Sequence, residues 1–507
     1  MTSTSRLIAG LALASCASTA QSPKLVKLDV TALDGKSRPV SDLRPGEVQI
    51  RDDGRHQQMV FFSERQDRPL KDGTQLGPQE FSNRASAAPH VTVVLLNSLD
   101  PAVQKPQWDE TVRAIHGFET SDDVYLYVLG GSGVLLPIRA LPGSEEEATR
   151  QGPWTSRLIP QFEGAPGLYH EPIRGTGPGE RDDPTVRRAT AYTAAYGAVE
   201  EVASRMSRLS GRKSLVWIGS LPLLTRRQDF GESPAGRAMA DKMLRLLTML
   251  DMADIAVYEV QPTVPHAVSS GNIDNSPPAP LMVPGSATDD RPGLAAATGG
   301  CKYVDEIGKA IAQAVVDTHQ GYRVIYMPQP EESRRKYHKI SVACTRRGVH
   351  LRTRDGYDSE AVEEPEARRR EFVDLLVESL RDAPGIGLRV TLSRRAESPQ
   401  SLHIQLHVDA ADVLLLPQGG AFRGKLALQF VRYTEDGRKQ VGGDPIDVAI
   451  NLAGKDRATA LTAGILVPLD VPVDASTQKV RVIVCDDLAQ FAGSVTVPIL
   501  NGRGPAE

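Results

Sequence analysis

Residues that carry easily recognised chemistry are scarce in this chain. Aromatics make up 5% of its 507 residues, with 3 tryptophans, and it has 4 cysteines. Cys16, Cys301, Cys344 and Cys485 lie too far apart for a Cys-x-x-Cys zinc or redox site. No apolar run reaches the ~20 residues that a membrane-spanning helix needs. A charge excess of one sign is also missing. The formal charge is -4 at pH 7, so nothing concentrates phosphates and no nucleic-acid partner is expected. A Gly-x-Ser-x-Gly nucleophile elbow is absent: Gly130-Gly131-Ser132-Gly133 falls between two predicted strands rather than before a helix. Gly175-Thr176-Gly177-Pro178-Gly179 follows no strand and opens no helix, so it has no phosphate to cradle. The expectation is a protein that is not an enzyme.

What is present begins with a leader. Residues 1–20 read as a signal peptide, with Arg6 as a weak positive start, an apolar stretch from Leu7 to Ala14, and the small residues Ser18-Thr19-Ala20 at a cleavage site. Leu13-Ala14-Ser15-Cys16 resembles a bacterial lipobox, which makes Cys16 the lipidation candidate; cleavage after Ala20 would instead discard it. The expected location is therefore outside the cytoplasm: periplasmic, outer-membrane-anchored or extracellular, with membrane contact only through a lipid. Cys301, Cys344 and Cys485 remain in the mature chain, an odd number that allows one disulfide without fixing its pairing.

Hydrophobic patterning divides the rest. Residues 21–65 alternate apolar and polar and include the turns Asp34-Gly35 and Asp52-Asp53-Gly54, which predicts a small N-terminal β unit. Residues 66–88 are polar and read as a linker. From 89 to 330, apolar strands at 90–97, 123–129, 134–138, 214–219, 254–260 and 321–328 alternate with helical stretches. The best helix carries Tyr192, Tyr196, Val199, Ala203 and Met206 on one stripe. This predicts an α/β, doubly wound, mostly parallel sheet. Residues 331–360 extend the β structure, and 361–385 form a linking helix. In 386–507, short alternating strands predict a C-terminal all-β domain of the immunoglobulin-like sandwich type. His403 and His407 lie ~13 Å apart along one such strand, too far to share a metal, and are expected to face solvent.

Several short motifs occur in a telling order: Asp34-Gly35 with Arg38-Pro39-Val40, Asp52-Asp53-Gly54 leading to Phe61-Phe62-Ser63, and Gly211-Arg212-Lys213-Ser214 leading to Trp217. Ala297-Thr298-Gly299-Gly300, Tyr337-His338-Lys339-Ile340 and Arg354-Asp355-Gly356-Tyr357 follow. In this order the chain resembles the acidobacterial VWFA-related domain family over about residues 24 to 358. That resemblance implies an exported protein with a von Willebrand factor A-like fold and no established reaction.

The family's strand end carries Asp-x-Ser-x-Ser, whose oxygens cup a divalent cation. Here Asn97, Leu99 and Pro101 occupy those spacings, and Gly219-Ser220-Leu221-Pro222 stands where a further Asp is usual. Thr185, Thr190 and Thr193 are candidates for the family's threonine. The metal site is expected to be degenerate, with Asn97, Ser98 and Asp100 the remaining candidates for Mg²⁺. The functional expectation is an exported VWFA-like binding or interaction protein of the bacterial envelope with a protein partner. Its recognition loops would be 97–108, 219–230 and 262–293, with Asn97, Trp108 and Ser220 as contact candidates. The alternative is a divalent-cation-dependent adhesion module with a remodelled site near Asn97.

Overall fold

The computed structural model describes residues 25–64, 76–85, 90–100, 103, 105–118, 123–130, 133–143, 184–219, 234–263, 293–328, 337–358, 365–394, 400–486 and 488–499. The predicted leader with Cys16, Ser220, and most of the expected recognition loops 219–230 and 262–293 lie outside these residues. Among the described residues, no helix is long and apolar enough to cross a membrane.

The chain begins with strands β1 (Val26–Asp34), β2 (Val48–Asp52), β3 (Arg55–Gln57) and β4 (Met59–Glu64). Asp53 and Gly54 both adopt positive φ, 48° and 81°, as a tight hairpin between β2 and β3 requires. The Asp34 carboxylate closes the turn after β1 by accepting the amides of Lys36 at 2.8 Å and Arg38 at 2.9 Å. Within the predicted linker lies a further short strand, β5 (Glu80–Ser82).

Next comes an α/β body: β6 (Val91–Asn97), α1 (Lys105–His116), β7 (Val124–Leu129), β8 (Leu135–Arg139), α2 (Pro184–Ser207) and β9 (Lys213–Ile218). It continues with α3 (Pro234–Met252), β10 (Ile255–Gln261), α4 (Leu294–Thr298), β11 (Lys302–Val304) and α5 (Ile307–His319). Its sheet has the order β11-β10-β9-β6-β7-β8, parallel throughout except for β8. Every residue of β6, β7 and β9 is buried, because helices cover both faces. On one face Val93, Leu95 and Trp217 pack with Tyr196, Val199 and Met243 of α2 and α3. On the other, Val94, Leu96 and Val216 pack with Trp108 and Ile115 of α1 and Ile311 of α5. The winding direction reverses between β6 and β9.

The chain then returns to the first body through β12 (Tyr322–Tyr326), β13 (Tyr337–Cys344), β14 (Val349–Arg352) and β15 (Gly356–Asp358). Strand β12, expected as the last strand of the α/β sheet, instead runs antiparallel between β1 and β4. Its Tyr322, Val324 and Tyr326 point into the core of the β unit, while Ile325 points the other way. Patterning located this strand, but an apolar run does not name its neighbours. The β unit thus comprises two four-stranded sheets, β14-β1-β12-β4 and β15-β13-β2-β3, around Leu28, Val30, Ile50 and Ile340.

The C-terminal part contains α6 (Pro365–Glu378), β16 (Leu388–Arg394), β17 (Ser401–Val408), β18 (Leu416–Gln418), β19 (Ala421–Thr434) and β20 (Lys439–Val441). After these come β21 (Ile446–Ala453), α7 (Gly454–Ala463), β22 (Ile465–Pro472), β23 (Thr477–Asp486) and β24 (Phe491–Pro498). Sheet β22-β17-β16-β5 faces a second sheet, built on β19, β23 and β24, across one shared core. Helix α6 covers the outer side of the second sheet, with Val373 and Val377 against Val431, Ile483 and Cys485.

The predicted linker therefore ends as a strap rather than a free spacer. Phe81 pairs with Val390. The Asn83 amide donates to Ala383 O and Ile386 O, both at 2.8 Å, and accepts from Leu388 N at 2.9 Å. Arg84 forks onto Asp409 at 2.7 Å and Asp412 at 2.5 Å. Cys301, Cys344 and Cys485 are free thiols. His403 and His407 are half-buried rather than solvent-facing; His403 pairs with Asp470 at 2.8 Å, and burial pulls the His407 imidazole below its usual range.

Candidate functional site

Ligand sites in open α/β sheets favour the crevice where the winding reverses, beyond the carboxyl ends of the strands. Asn97 closes β6 and Gly219 follows β9 at that point. Asn97, Ser98 and Asp100 are 0%, 3% and 3% exposed. The Ser98 hydroxyl turns away and donates to Leu129 O at 2.6 Å. Asn97 Oδ1 accepts from Leu99 N at 3.2 Å, which sets the orientation of the amide and leaves Nδ2 buried without a hydrogen-bond partner. A Cβ on residue 219 would come within 3.3 Å of both Asn97 Nδ2 and Asp100 Oδ2. Glycine here lets a side-chain donor and a carboxylate approach the same stretch of backbone.

These residues do not fit a divalent cation. Asn97 presents an N–H, which repels one, and Ser98 has turned its hydroxyl toward β7. Leu99 packs on the core, so the three candidates offer one carboxylate where Mg²⁺ requires near-octahedral oxygen ligation. Trp108, expected as a contact candidate, is 0% exposed among α1 core residues and cannot touch a partner. Thr185, Thr190 and Thr193 all fall in α2; Thr193 is exposed, and the side chains of the other two lie outside the described residues.

Some of the motifs singled out in the sequence lie elsewhere, at the amino ends of the parallel strands. Arg212, just before β9, has its side chain 3% exposed between Asp29 and Asp254, at 3.2 Å from each. Arg352 pairs with Asp317 and reaches Cys301 Sγ at 2.9 Å and Gly299 O at 3.2 Å. Arg354 joins Asp251 at 3.1 Å and Lys27 O at 2.9 Å. A Cβ on Gly300 would sit 1.8 Å from Val257 O, so only glycine fits there. These residues dock the β unit onto the α/β body at the end opposite Asn97. Sequence reasoning saw them as motifs without seeing this role.

Glu259 was also missed, although a lone acid inside the apolar run of β10 is a signal. Its Oε1 accepts from Leu294 N at 3.0 Å, and Lys302 Nζ stands 3.7 Å from Oε2. Burial outweighs both and pushes its carboxyl up to about 7.

No protein-family model matches this sequence, and no curated protein matches it. Among solved structures, a β-glucosidase from Listeria innocua in complex with gluconolactone aligns at 10% identity over 83% of this chain. The alignment covers 48% of that enzyme, so the chain spans about half its length, and the TM-score of 0.15 carries no argument about fold or activity.

Proposed function

We propose that this is an exported, non-catalytic binding protein with a von Willebrand factor A-like body, whose partner-binding face is the carboxyl end of the parallel sheet where the winding reverses. The carrying observation is the sheet itself, parallel but for its edge strand β8, with its winding reversed between β6 and β9. The strand order, with its antiparallel edge β8, supports the A-like reading. The buried arginine joint at the other end supports a division of labour in which the β bodies hold and the α/β body recognises. In this reading the C-terminal body is an immunoglobulin-like spacer, and Cys16 carries a lipid that tethers the protein to the envelope. The cation-dependent adhesion alternative has less support, because the donor set around Asn97 offers one carboxylate and an N–H.

The test is site-specific photocrosslinking in the full-length protein. A crosslinker at Leu99 should trap a discrete envelope protein that a crosslinker at the exposed Lys36 does not. Identical products from both positions, or none from Leu99, would refute the assignment.

A further inference from the structure

Residues from three motifs of the β unit meet at one point. The β2–β3 hairpin brings Asp52 and Asp53, β13 brings His338, and β15 brings Tyr357, with Ile340 opposite Asp52 and His338 opposite Tyr357. His338 Nδ1 lies 3.3 Å from Asp52 Oδ1 and 3.4 Å from Asp53 Oδ2. The side chains of His338 and Asp52 are each 6% exposed. One ligand atom from each of the three residues lies within 4.8 Å of the others.

We propose that Asp52, Asp53 and His338 form a three-ligand site for a divalent transition-metal ion, zinc foremost. The nitrogen–oxygen separations are longer than the ~2.7–2.9 Å of a charge-assisted hydrogen bond. They match the spacing of roughly 3.0–3.4 Å between neighbouring ligands around an ion bound at about 2.0–2.2 Å. Each carboxylate is already oriented by its other oxygen. Asp52 Oδ2 accepts from Tyr326 at 2.8 Å and Tyr357 at 3.1 Å, and Asp53 Oδ1 accepts from Lys339 N at 3.0 Å. Such outer hydrogen bonds aim metal ligands. The imidazole is itself held by stacking on Tyr357, with ring centroids 4.8 Å apart and planes at 11°.

Charge and hydrogen bonding favour a cation here. The cluster brings two carboxylates to one imidazole, and the Tyr326 hydroxyl donates to Asp52 Oδ2. The Arg354 guanidinium is committed to Asp251 and Lys27 O. One imidazole and two carboxylates suit zinc and its first-row neighbours, whereas calcium takes about six to eight oxygens.

The full-length protein, stripped with EDTA and titrated with Zn²⁺ in a calorimeter, should bind one equivalent. Asp53→Asn and His338→Gln should each weaken it about tenfold or more and abolish any Zn²⁺-induced rise in Tm. Co²⁺ added to the wild type alone should give visible d–d bands of a nitrogen- and oxygen-ligated ion, a readout that survives if a variant fails to fold. Wild type that takes up neither ion, or variants that bind as tightly as wild type, would overturn the proposal; the cluster would then be a histidine hydrogen-bonded to two acids.

Discussion

Glu259 is a carboxyl whose folded-state value, about 7, lies above its ordinary 4.5. The folded state therefore holds the proton more tightly than the unfolded chain. Stability linked to this group is complete below pH 4.5 and falls as pH rises toward 7. Lys302 and the amide of Leu294 face the carboxylate and offset only part of the burial cost. Glu259→Gln should match wild type near pH 4.5 and exceed it above pH 7 by on the order of 2–3 kcal/mol, read from Tm across that range. A constant offset at every pH would mean that the carboxyl does not titrate there. Residues differ sharply in how legible they were. Asn97, Ser98 and Asp100 could be read from the end of a strand, because one strand end brings them together. Asp52 and His338, far apart in sequence, share no local pattern, and their meeting depends on a strand pairing that spacing does not encode.

At the scale of elements, continuous apolar runs located β6, β7, β9 and β10 because both of their faces are covered. Period-two alternation located seven C-terminal strands because each has one face in a shared core. The failures share a physical cause. Strand β5 has Phe81 as its single apolar residue, so hydrophobicity could not mark it, and its order comes from the Asn83 and Arg84 bonds that follow. Helix α7 buries only Ala460, which leaves its sequence without a stripe. The strap is testable: Asn83→Ala removes three hydrogen bonds and strands the carbonyls of Ala383 and Ile386. The expected cost is about 2–4 kcal/mol in urea denaturation. Hydrogen exchange should quicken at Leu392, whose amide bonds Gln79 O, more than in β23.

The whole molecule joins three bodies through buried contacts. The β unit meets the α/β body through Arg212, Arg352 and Arg354. It meets the C-terminal body through Phe61, 5.3 Å from Phe491, and through Ile325, which belongs to the C-terminal core. Arg323 ties the same seam, donating to Gly385 O at 2.8 Å and lying 4.7 Å over Phe491. Removing one partner of a buried ion pair costs about 3–5 kcal/mol, since the other charge is left uncompensated. Asp317→Asn should accordingly destabilise the joint by that order, with calorimetric unfolding splitting into separate transitions; a single transition at the wild-type Tm would show that the ion pair does not couple the bodies.

The path of the chain through these bodies sets a timetable for its birth. Ser82 waits for Leu388, 306 positions later, and β2 waits for β13. Only the α/β body is built from one uninterrupted stretch, so it alone can close while the remainder is still being synthesised. Nascent chains halted at residue 330 should yield a protease-resistant fragment from the α/β stretch while residues 25–64 are digested, and only release of the last third should shield both.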